Sequence, residues 1–242
     1  TINGENIQEM FNGCKSLTSI NTSKFLGEKI INAYSMFANC EKLNEIDLQS
    51  FETKTLRFMD SMFQNCKSAR NINIPKLKTS QVNLMSNIFD GCNSVEKLDL
   101  TSFDTSQSTN YDLMFNGCKS LTSLSINHFD TEMATTMIGM FQDCSSLTRL
   151  DLTDLNTVNV VDMSKMFEGC TKLDNLIIKF NTAKVSSMNE MFSNCVNLKE
   201  LDLSSFDSRG CRNFDSMFDK CEGLSILINK SENEKLISSL PY

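Results

Sequence analysis

Nine cysteines stand at almost constant spacing: Cys14, Cys40, Cys66, Cys92, Cys118, Cys144, Cys170, Cys195 and Cys221, in steps of 26 residues with one step of 25. Three residues before each stands a phenylalanine: Phe11, Phe37, Phe63, Phe89, Phe115, Phe141, Phe167, Phe192 and Phe218. A unit of this size cannot bury its own apolar face, so equivalent units must stack into a solenoid, propeller or array. This period overrides the one or two globular domains that 242 residues suggest by length alone.

Within a unit, the segment Leu198-Lys-Glu-Leu-Asp-Leu203 ends in alternating apolar positions and predicts a short strand. The other half of the unit has helical spacing. Val185, Met188, Met191 and Phe192 fall on one stripe, as do Val82, Met85, Ile88 and Phe89. Thr79 and Ser80 sit where a hydroxyl would cap the first free amides of such a helix. The residue before each cysteine is Gly, Asn or Asp, types that tolerate a left-handed turn, except for Lys220, which predicts an irregular last unit. The expected fold is an α/β repeat. It is a leucine-rich-repeat solenoid of about nine strand–turn–helix units over residues 1–229, with a parallel sheet on one face, short helices on the other, and an irregular tail or cap over 230–242. Thr1 aligns with the threonine inside the repeat (Thr53, Thr79, Thr105), so the chain is expected to begin part-way through a unit, as a segment of a longer protein.

Units such as Met163-Ser-Lys-Met-Phe-Glu-Gly-Cys-Thr-Lys-Leu173 and Leu201-Asp-Leu-Ser-Ser-Phe-Asp-Ser208 resemble the BspA-type leucine-rich repeats, the 26-residue surface or lipoprotein repeat. The resemblance runs from Thr1 to about Asn229 and implies a surface or secreted adhesin-like protein.

Several function classes are excluded or disfavoured. The net charge is −7 and Lys and Arg do not cluster, which argues against nucleic acid and anionic membranes. No apolar run is long enough for membrane insertion. His128 is the single histidine, no Cys-x-x-Cys pair occurs, and one cysteine per unit makes a line of sulfurs rather than a tetrahedral metal cage. No glycine-rich phosphate loop or Ser-His-Asp set can be assembled. The expectation is therefore no enzyme, no cofactor and no metal, with the cysteines, methionines and phenylalanines as core. The N-x-S/T sequons at Asn21 and Asn229 occur about as often as chance supplies.

The outward positions carry a second period. Five and seven residues after the cysteine, alternate units read Glu45/Asp47, Lys97/Asp99, Arg149/Asp151 and Glu200/Asp202. The units between read Ser19/Asn21, Asn71/Asn73, Ser123/Ser125 and Asn175/Ile177, so the outward repeat is close to 52 residues. Spacing like charges two rungs apart relieves repulsion and explains much of this. The functional expectation is that these eight charged residues bind a protein partner or another copy of the chain. A polysaccharide is disfavoured there, because no aromatic platform occupies these positions. An extracellular or surface location is expected. A cytoplasmic adaptor is the alternative, since the cysteines suggest no disulfide scheme.

Overall fold

The computed structural model describes residues 5–228. Successive units stack as rungs, and six short strands run parallel: β1 (Glu45–Asp47), β2 (Asn71–Asn73), β3 (Arg149–Leu152), β4 (Asn175–Ile178), β5 (Glu200–Asp202) and β6 (Ile226–Ile228). They hydrogen-bond in three parallel pairs, β1–β2, β3–β4 and β5–β6.

The expected helices are absent among the described residues. The helical stripe of apolar residues is built instead by consecutive tight turns. Each unit holds two left-handed residues four apart, such as Ser35 and Asn39 (φ 49° and 59°) or Glu190 and Asn194 (φ 55° and 60°). A left-handed residue at that interval stops right-handed helix propagation. The backbone bonds divide accordingly. The amides of Met36, Ala38 and Cys40 close turns onto the carbonyls of Ala33, Ser35 and Phe37. The amides of Ala33, Ser35, Phe37 and Asn39 reach forward to the carbonyls of Phe58, Asp60, Met62 and Gln64 on the next rung. Half the amides thus serve the turn and half serve the stack, and an α-helix would forfeit the second set.

Two further expectations are corrected. Thr79 caps no helix: its hydroxyl donates to the Asp104 carbonyl on the next rung at 2.7 Å and accepts the Asp104 amide at 2.8 Å. The same donation links Thr53, Thr105, Thr131, Thr157 and Thr182 to their next rungs. Lys220 does not break the pattern, since it takes the left-handed conformation (φ 57°) of the other residues that precede a cysteine. The 230–242 tail, Thr1 and the Asn229 sequon lie outside the described residues.

The core is a set of parallel ladders. The phenylalanines before the cysteines form one continuous stack from Phe11 to Phe218, with neighbouring ring centroids 5.3–6.0 Å apart and planes within 12°. Each such contact contributes about 0.5–1.5 kcal/mol beyond its area. Of the phenylalanines that follow the strand positions, Phe51, Phe103, Phe129, Phe180 and Phe206 are buried and Phe25 is partly buried; Phe180 stacks on Phe206 at 6.4 Å and Phe25 on Phe11 at 6.0 Å, without a continuous second stack. Cysteines from Cys40 to Cys221 are buried, and all ten thiols in the described residues are free.

Candidate functional site

The strand face is built by alternation. Ile46, Leu150 and Leu201 point into the core, which turns their neighbours outward. Glu45 and Asp47 therefore stand on β1, Arg149 and Asp151 on β3, and Glu200 and Asp202 on β5. Lys97 and Asp99 occupy the equivalent place in a rung that forms no regular strand, and both are exposed. All eight occupy equivalent places in their rungs, on the strand face.

The doubled period has a backbone counterpart. In each two-stranded sheet a charged rung is followed by an uncharged one: Glu45 pairs with Asn71, Arg149 with Asn175 and Glu200 with Ile226. No ladder joins β2 to residues 97–99 or β4 to β5. The amides of the uncharged rung solvate the carboxylates beside them. Asn71 Nδ2 donates to Glu45 Oε1 at 3.3 Å, and Asn73 Nδ2 donates to Asp47 Oδ1 at 2.8 Å.

The aspartates have a local task that the sequence reading missed. The Asp47, Asp99, Asp151 and Asp202 carboxylates accept the backbone amides of Gln49, Thr101, Thr153 and Ser204, two residues ahead. These Asx turns end the strand and send the chain around the corner. The Thr101 hydroxyl and amide together hold the Asp99 carboxyl below its ordinary range. The signal lay in the sequence: Asp or Asn recurs at rung corners, as in Asp104, Asp130 and Asn156, each bonded to the amide two residues on.

The four residues at the strand start differ. Arg149 pairs with its own Asp151 at 3.5 Å. Glu45 takes the Asn71 amide. Lys97 and Glu200 are exposed and form no ion pair among the described residues. The uncharged rungs become apolar toward the C-terminal end, where Ile226 and Ile228 are 51% and 40% exposed. The arrangement presents charged strips at two-rung intervals, and in the core behind it burial pushes the Cys40 and Cys221 thiols up to about 11. Among the described residues no group of His, Cys, Asp and Glu is placed to hold a metal ion, and no helix is long and apolar enough to cross a membrane.

Comparison with known proteins gives one family. The family described as "Mycoplasma protein of unknown function, DUF285" matches residues 1–97, 66–152 and 139–239. No curated protein matches the sequence. Among solved structures, a leucine-rich repeat protein from Bacteroides ovatus is similar at 16% identity and a TM-score of 0.37, over 87% of this chain and 71% of that one. An internalin from Listeria monocytogenes is similar at 12% identity and a TM-score of 0.28, over 94% of this chain and 85% of that one.

Proposed function

We propose that this chain, which belongs to the DUF285 family, is a non-enzymatic interaction scaffold of the BspA-type leucine-rich-repeat kind. It is displayed at the cell surface or secreted, and it binds a protein partner through its strand face. One observation supports the reading: three of the four charged rungs open a two-stranded sheet, and the fourth, Lys97/Asp99, exposes its charges at the equivalent place. Local structure consumes the aspartates at the second position, whereas Lys97 and Glu200 at the first are committed to no ion pair among the described residues. A partner therefore reads Lys97 and Glu200 first, with Glu45, Arg149, Asp47, Asp99, Asp151 and Asp202 supplying charge beside them. Rigidity of the stack keeps these groups pre-organised, which lowers the entropic cost of binding.

A second copy of the chain is the rival partner, favoured by the exposed Ile226 and Ile228 on β6. The free thiols suit the cytoplasmic adaptor alternative. The test replaces Glu45, Lys97, Arg149 and Glu200 by Gln and compares proteins captured from host and own-cell extracts with those captured by the parent. Loss of specific proteins with an unchanged melting curve supports the strand face. Identical capture profiles refute it, and a concentration-dependent mass in light scattering identifies the second copy.

A further inference from the structure

The second backbone ladder, on the turn side of the molecule, opens at one step. From Asn6 through Asn32 to Phe58, and again from Leu84 through Asn110, Thr136, Asp162 and Ser187 to Asn213, successive rungs are joined by parallel bridges. No bridge joins Phe58 to Leu84. Elsewhere each step carries paired bonds, such as the Thr109 amide to the Asn83 carbonyl and the Met85 amide to the Asn110 carbonyl. The corresponding bonds, from the Asn83 amide to the Arg57 carbonyl and from the Met59 amide to the Leu84 carbonyl, are not made. Pairing resumes two residues on, with the Ser61 amide on the Ser86 carbonyl at 3.0 Å.

The side chains at the opening are unlike those along the rest of the ladder. The bridge position holds Asn, Thr, Asp or Ser on the other rungs but Phe58 and Leu84 here, 43% and 36% exposed. Beside them runs a groove lined by Arg57, Phe58, Ser80, Gln81, Asn83 and Gln107. Arg57 Nε donates to Gln81 Oε1 at 3.4 Å and forms no ion pair among the described residues, although the chain carries a net charge of −7.

We propose that this groove is a binding site for an acidic sugar, independent of the strand-face partner. An exposed phenyl ring beside amide side chains and a guanidinium that forms no ion pair among the described residues is the chemistry a pyranose bearing a carboxylate requires. The ring's C–H face packs on Phe58, as apolar groups do on aromatic faces. The Arg57 guanidinium takes the carboxylate as a two-pronged donor. Asn83, Ser80 and the Gln107 carbonyl oxygen supply donors and acceptors for the hydroxyls, while Gln81, bonded to Arg57 and to the Lys54 carbonyl, positions the guanidinium. A neutral sugar leaves Arg57 unanswered, and a peptide finds no extended edge, because the ladder closes on either side.

The test titrates sialyllactose, tri-galacturonate and lactose into the whole chain, followed by calorimetry and by amide NMR shifts. Phe58→Asn and Arg57→Gln are compared with the parent; the first restores the residue type of Asn32 and Asn110, and both positions are exposed. At least one acidic glycan is expected to bind, to shift the amides of residues 57–59 and 83–85, and to weaken at least ten-fold in each variant, with lactose weaker than either. The proposal is overturned if neither acidic glycan binds, if lactose binds equally well, or if binding is unchanged in both variants. Identical melting curves for parent and variants assign any loss to the site.

Discussion

Cys66 Sγ lies 3.2 Å from the carbonyl oxygen of Phe37, one rung back, and that same oxygen also accepts the Cys40 amide of its own rung. The relationship repeats up the stack to Cys221 and Phe192, at 2.9 Å. Each thiol therefore sews two rungs together while filling space, which explains why a sulfur, and not merely a small apolar group, sits there.

Thiol chemistry follows from this placement. Burial raises the pKa of Cys66, Cys92, Cys118, Cys144, Cys170 and Cys195, and the neighbouring thiols of Cys92 and Cys40 add to the effect on Cys66. In the folded chain these six resist alkylation at pH 8, while the partly exposed Cys14 reacts. Mass spectrometry after iodoacetamide labelling reads this directly, with all ten cysteines labelling in denaturant. The sign of the pH effect is fixed: a raised folded pKa stabilises the fold below the ordinary value of 9.0 and loses that contribution as pH climbs toward the folded value. For Cys40 and Cys221 the window is 9 to about 11, so the melting temperature falls across it, and falls less in a Cys40→Ala, Cys221→Ala double variant.

Phe115 sits mid-stack, with its ring between those of Phe89 and Phe141 at 5.8 and 5.6 Å. Replacing it by Ala removes two stacking contacts and leaves a cavity, and is expected to cost about 3–5 kcal/mol. Phe11 is only partly buried, and Phe11→Ala costs less. Urea unfolding of the two variants beside the parent gives the comparison.

Two glycines separate conformation from crowding. Gly13 and Gly91 are both left-handed, at φ 75° and 71°. A Cβ on Gly13 meets nothing within 4 Å, whereas on Gly91 it lies 2.5 Å from Asn65 Oδ1. Alanine at either site adopts the left-handed region at a cost of about 1–2 kcal/mol. Gly91→Ala also displaces Asn65, whose amide donates to Asn39 at 3.1 Å, and has the lower unfolding midpoint.

Asp99 accepts the Thr101 amide at 3.0 Å and the Thr101 hydroxyl at 2.7 Å. Asp99→Asn keeps an oxygen for both and leaves stability nearly unchanged at neutral pH. Asp99→Ala loses both bonds and costs about 1 kcal/mol. Because the Asp99 pKa is depressed, its contribution is present above the ordinary 3.8 and fades as pH falls through the folded value. Thermal melts at pH 7 and pH 3 therefore separate parent from Asp99→Ala more at the higher pH.

The stack itself was legible in the cysteine and phenylalanine spacing, because a period in sequence becomes a register in space. The alternating strand face was legible too, since Ile46 between Glu45 and Asp47 can only point one way. The helices were misread for a definite reason. Turns that advance about as far as a helical turn place Val185, Met188 and Phe192 on one side just as a helix does. Only the left-handed Glu190 distinguishes the two, and glutamate gives no warning of φ 55°. The opened step beside Phe58 and Leu84 was in the sequence as two large apolar residues where other rungs carry small polar ones, but its meaning needed the bridge ladder.

The claim that interaction runs along the strand face is tested most directly by site-specific photo-crosslinking. A photoreactive residue replaces Ser123, exposed on that face between charged rungs, or Thr135, exposed on the turn side. Partner cross-links are expected from position 123 and are expected to vanish when Lys97 and Arg149 become Gln, with few from position 135. Cross-links arising only from position 135, or unaffected by the loss of Lys97 and Arg149, contradict it.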